Sequence, residues 1–133
     1  MCSNSIEGHA HLFFNCWVFE QIWSRVQLRG RFQTPQLAWQ DLIKWLITNW
    51  SDSSFATLIN KICLATTVYF IWNERNSQLH NNVSNSVDII VDRIFCLIKL
   101  KLASMKAVHD CSSNRNLQLY WTLPDSIFAR YGM

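Results

Sequence analysis

A chain of 133 residues is one ordinary domain, long enough to bury a core without disulfides or metal to hold it together. Half the residues are hydrophobic and 16% are charged, which excludes a disordered chain and predicts some apolar surface outside the core. A net charge of +3 and a pI near 8.7 are mild for a nucleic-acid binder, whose affinity rests on neutralising phosphates, so charge alone assigns no partner. The five cysteines are an odd number, and the polar first residues lack the basic start and apolar run of a signal peptide. The expectation is a reducing, intracellular setting, with nucleus and cytoplasm not distinguished.

The beginning of the chain carries its chemical signature. Cys2, His11 and Cys16 follow a Cys-x8-His-x4-Cys spacing, and thiolate with imidazole is the ligand mix that tetrahedral zinc prefers. A structural zinc site closes with four ligands. The natural partner of Cys2 would sit three residues earlier, before Met1, so the chain reads as cut from something longer. The fourth position is open to His9, to water or to a second molecule; His9 and His11, two apart, point the same way in an extended stretch. The competing reading is a ligand set left idle once its fourth member was lost. Phe13, Phe14 and Trp17 either fasten this loop onto the helices behind it or stack on unpaired bases.

Helices follow. Phe19, Ile22, Trp23 and Val26 recur at helical spacing after Cys16, with Asn15 as a cap and Gly30 as a stop. Arg25, Arg29 and Arg31 lie towards the end of this helix. They are candidates for phosphate contacts, against the simpler reading of a solvated helix end whose cations suit the C-terminal dipole. Thr34-Pro35 reads as a second helix start, with Trp39, Leu42, Ile43, Leu46 and Trp50 inward. Ser51 to Ser54 closes that helix and caps a third, from about Ser54 to His80, whose middle is apolar nearly all round and so is expected to be central. Its most apolar run, Ile62 to Trp72, is about half the roughly 20 residues of a membrane span, and no membrane role is expected.

Asn81 to Asn85 makes a turn, and Ser86 opens a fourth helix with Val87, Ile90, Val91, Ile94, Leu97, Ile98 and Leu102 inward. Asp88 near its start, and Lys106 and His109 near its end, match the helix dipole. Cys63 and Cys96 read as small buried residues within apolar helices. Cys111 to Asn116 is expected to be a polar linker. Beyond it Leu117, Leu119, Trp121 and Leu123 alternate with polar residues, as in an extended segment laid along the helices and stopped by Pro124. His109 and Cys111 flank this linker with no orienting group in sight, so a base and nucleophile pair is not expected there.

Three places resemble the zinc-binding domain at the C-terminus of reverse transcriptases of non-LTR retrotransposons, a family widespread in plants. Cys2, Glu7, His11, Leu12, Phe13, Phe14, Cys16, Ile22 and Trp23 match its first motif, in which a Cys-x2-Cys pair precedes a Glu, His-Leu-Phe-Phe, a Cys and a helix with Ile-Trp. Ile71-Trp72-Asn73-Glu74-Arg75-Asn76, with His80, looks like its downstream helix, and Trp121-Thr122-Leu123-Pro124 is similar to its endings. The first cysteine of the pair is absent, as are the polymerase and its metal-binding carboxylates. The resemblance therefore implies a non-enzymatic remnant, with zinc and RNA or single-stranded nucleic acid as its ligands.

Together these readings give a mostly α, four-helix bundle-like single domain over 1–133. It comprises an irregular zinc-knuckle-like loop (1–16), a helical body (17–110) and a linker with an extended C-terminal tail (111–133). The alternative function is a helical protein-interaction or self-associating module that uses leftover apolar surface, with no metal or nucleic-acid role.

Overall fold

The computed structural model describes residues 17–37, 39–81 and 86–128, and among them the chain is mostly helical. Five α-helices follow in order: α1 (Trp17–Gly30), α2 (Trp39–Asn49), α3 (Phe55–Asn81), α4 (Val87–Ala103) and α5 (Ser112–Trp121), with a 3-10 turn at Asp125–Ile127. The proposed zinc ligands Cys2, His9, His11 and Cys16, like Asn15, lie outside the described residues.

The core is the meeting of α1, α3 and α4, which pack on one another, with α5 resting on α3. The predicted stripes supply it: Phe19, Ile22, Trp23 and Val26 from α1, Ile59, Cys63 and Ile71 from α3, and Ile90, Val91, Ile94, Ile98 and Leu102 from α4 are all buried. Burial pushes the Cys63 thiol up to about 12, so it stays neutral and acts as a small apolar side chain. Cys96, expected to be buried, is instead exposed, because its neighbour Phe95 takes the inward position on α4.

The helix ends show why the chain turns where it does. Gly30 closes α1 as expected, and a Cβ there would come within 2.8 Å of the Phe32 ring that folds back over it. Phe32 N–H donates to the Gln27 carbonyl (3.1 Å), an arrangement that places Arg31 in the left-handed region at φ 60°. Ser54 caps α3: its hydroxyl accepts from Thr57 N–H (3.1 Å), while Asp52 accepts from Ser54 N–H (3.1 Å) and from the Thr57 hydroxyl (2.8 Å). Ser86 caps α4 through Ile89 N–H (3.3 Å). That helix stops at Ala103, so Lys106 and His109 lie beyond it, and Lys101 is the cation of its last turn.

Three further expectations are corrected. Thr34-Pro35 does not begin α2, which runs from Trp39; the Thr34 hydroxyl instead accepts from Trp23 Nε1 (3.0 Å) and donates to the Gln27 side chain (2.8 Å), tying the connection to α1. Most of the expected linker and the first part of the expected extended tail form helix α5, Ser112–Trp121. Leu117, Gln118 and Trp121 fall on one helical face, while Leu119 is 72% exposed, so the alternation of leucines was not the pattern that packs. Trp121 stacks on Phe95 at 5.5 Å, and Arg115 binds both Asp110 (2.7 Å) and Asp125 (3.0 Å), which fixes the two ends of α5. The chain then returns to the body through Val108 N–H and the Ile127 carbonyl (2.8 Å). Finally, α3 is not buried on every side. Its inner face is Phe55, Ile59, Cys63, Thr67 and Ile71, and its outer face carries Leu58 (38% exposed), Tyr69 (53%) and Trp72 (43%).

Candidate functional site

The arginine trio lies along one edge of the molecule, where α1 meets α4 and the end of α5. Arg25 pairs with Asp88, and Arg29 pairs with Asp92 at 3.0 Å. Both pairs span the same sequence offset of 63 residues, so α1 and α4 run side by side in one direction and their charges form a two-rung ladder. The Arg29 guanidinium also lies 4.5 Å from the centre of the Phe95 ring, and its carbonyl accepts from the Tyr120 hydroxyl (2.5 Å). Arg31 sits 3.8 Å over the Tyr120 ring. Each of the three cations thus has a partner within the fold.

The partners Asp88, Asp92 and Tyr120 are what the sequence reading missed. A signal was there: two arginines four apart on one predicted helix and two aspartates four apart on another are complementary rungs. With one chain, nothing in the spacing said which two helices would lie together. The pairs remain largely open to water, with Arg25 and Arg29 side chains 47% and 51% exposed, so each is worth only about 0–1 kcal/mol to stability. A hollow beside the ladder, lined by Arg29, Asp92, Phe95, Lys99 and Tyr120, joins cations and rings at one place.

On the α2 and α3 side the surface has a different character. A shallow depression between these helices is lined by Leu46, Ile47, Trp50, Leu64 and Val68, with Lys61 its single charge. Ile47 is 69% exposed at its rim. Residues Phe55–Asn73 of α3 are long and apolar enough to cross a membrane by length and composition, a longer run than Ile62 to Trp72, and 39% of that window is buried within the molecule.

No group of three or more histidine, cysteine or acidic residues able to hold a metal occurs among the described residues. His109 lends its carbonyl to the Asn114 side chain (2.9 Å), and Cys111 precedes α5 as its cap residue. Of the downstream motif, Ile71 lies in the core and Trp72 on the outer face of α3, while the side chains of Glu74, Arg75, Asn76 and His80 lie outside the described residues. No protein-family model, no curated protein and no solved structure matches the chain.

Proposed function

We propose that the chain is a non-enzymatic remnant of the zinc-binding domain at the C-terminus of plant non-LTR retrotransposon reverse transcriptases. In this reading it holds zinc through Cys2, His11 and Cys16, with His9 the candidate fourth donor, and binds RNA or single-stranded nucleic acid weakly. One observation supports it most. The end of the first motif, Ile22 and Trp23 on α1, and the start of the second, Ile71 on α3, lie far apart in sequence, yet those helices pack together with the three side chains in a single core. The ladder supports weak rather than tight binding in this reading, because a phosphate must compete with Asp88 and Asp92 for Arg25 and Arg29. Native mass spectrometry tests the zinc part: about one equivalent is expected, lost in His11→Ala and Cys16→Ala and kept in Cys96→Ala. A chain that takes up no zinc would remove the metal from this reading.

The apolar face of α3 favours a second reading, a helical protein-interaction or self-associating module without a metal or nucleic-acid role. Leu58, Tyr69 and Trp72 are exposed on one face of a single helix, and exposed Ile47 of α2 shares a depression with Leu64, Ala65 and Val68 of the same helix, which supports an apolar contact surface.

A further inference from the structure

The outer face of α3 has an internal order that selects a partner. Leu58, Lys61, Ala65, Tyr69 and Trp72 are all exposed and recur every three or four residues, with Leu58, Ala65 and Trp72 spaced seven apart. Seven-residue spacing keeps a seam facing a neighbouring helix along its length, as in a coiled coil. The seam has a small residue at its middle and a large one at each end. A second α3 laid antiparallel, with a two-fold axis at Ala65, sets Leu58 against Trp72 of the other copy and Trp72 against Leu58. The same register sets Lys61 against the Tyr69 ring and half-buried Ile62 against half-buried Val68.

We infer that a second copy of this chain docks on this face, through an antiparallel α3 pair centred on Ala65; the inference rests on the second reading above. Three features of the face fit that occupant. Ala65 lets the two helix backbones approach closely at the axis, where a larger residue would hold them apart. The one charge on the seam, Lys61, meets a ring face rather than its own copy, which lies about 12 Å further along the helix at a rise of about 1.5 Å per residue. And a two-fold pair is self-complementary by construction, which is the commonest solution for soluble oligomers. From Leu58 to Trp72 the seam is about 21 Å long. A single helix pair of that length, with Ile47 and the depression beside it at the margin, falls near or below the roughly 1,200 Å² of a stable interface. The dimer is therefore weak and concentration-dependent.

Sedimentation equilibrium of the full chain over about 1 µM to 1 mM tests this directly. The native chain should pass from monomer to dimer. Ala65→Glu, which sets two carboxylates at the axis, should raise the dissociation constant by about tenfold or more with the thermal midpoint of the monomer unchanged, since residue 65 is exposed. Register is read from a charge exchange. Tyr69→Lys opposes two cations across the seam and should weaken the dimer by about threefold or more, and adding Lys61→Glu should restore it. Within one chain these two positions are about 12 Å apart, beyond the screening length of about 8 Å at physiological salt, so rescue reports a contact between copies. A dimer indifferent to Ala65→Glu, or one not rescued by the exchange, would overturn the α3 seam while leaving self-association through another face. A chain that stays monomeric throughout overturns the seam, whether another part of the chain or nothing covers it. If that monomer also captures neither protein nor lipid vesicles, the module reading falls too.

Discussion

The two long sides of the molecule treat their side chains in opposite ways. Along the α1 and α4 edge every arginine of the trio is answered from within: Arg25 by Asp88, Arg29 by Asp92 and Phe95, Arg31 by Tyr120. Along the outer face of α3, apolar side chains stand 38–53% exposed beside one lysine. Net positive charge is therefore a poor guide to which cations the fold leaves without an internal partner. Cations that look available in the sequence are committed to the fold, whereas residues that look like core form its most distinctive surface.

The largest effect separates the two faces of α3 itself. Ile71 is fully buried, so Ile71→Ala should cost about 2–5 kcal/mol of unfolding free energy, lost transfer energy plus the cavity left behind. Tyr69→Ala, two residues away on the outer face, should change the stability of the monomer by no more than about 0.5 kcal/mol. Urea unfolding at a concentration where the chain is monomeric reads both, and equal losses would mean that α3 is enclosed after all.

A smaller effect belongs to the ladder. Asp88→Asn with Asp92→Asn removes two exposed ion pairs and should lower stability by about 0–1 kcal/mol per pair. It should also raise the affinity for a single-stranded RNA and steepen its salt dependence, because two guanidinium groups lose their internal competitors. Fluorescence anisotropy at several salt concentrations is the measurement. An unchanged affinity would take the trio out of any nucleic-acid contact.

The smallest effect is local to the start of α3. Hydrogen bonds from the Ser54 and Thr57 hydroxyls and from Ser54 N–H hold the Asp52 carboxylate at about 2 instead of 3.8. A depressed value means that the ionised form is the one the fold prefers. Its contribution is complete above about pH 4 and is lost as pH falls through about 2. Asp52→Asn should flatten the native chain's loss of stability over that interval, seen by circular dichroism. Identical acid limbs would show that the cap does not titrate with folding.

Much of the fold could be read in advance, and the exceptions have physical causes. The stripes of α1 and α4 were legible because Ile22, Val26, Ile94 and Ile98 repeat at the helical period in surroundings polar enough to mark a second face. For α3 that contrast was missing. When nearly every position from Ile62 to Trp72 is apolar, periodicity cannot say which side is covered, and only packing against α1 and α4 decides. The tail failed for the opposite reason. Leu117, Leu119, Trp121 and Leu123 imitate a strand, but Gln118 buries its amide against the Leu123 carbonyl (3.1 Å) and Asp125 (2.6 Å), so a polar residue takes a core position. At the candidate site, residue types were legible and pairings were not, since Arg25 and Asp88 are joined only by the tertiary fold.

Amide chemical shifts of the full chain, followed on dilution, compare the two sides in one measurement. Changes concentrated between Leu58 and Trp72, with Arg25, Arg29 and Arg31 constant, are the result this account predicts. Changes along the arginine edge with none on α3 would contradict it.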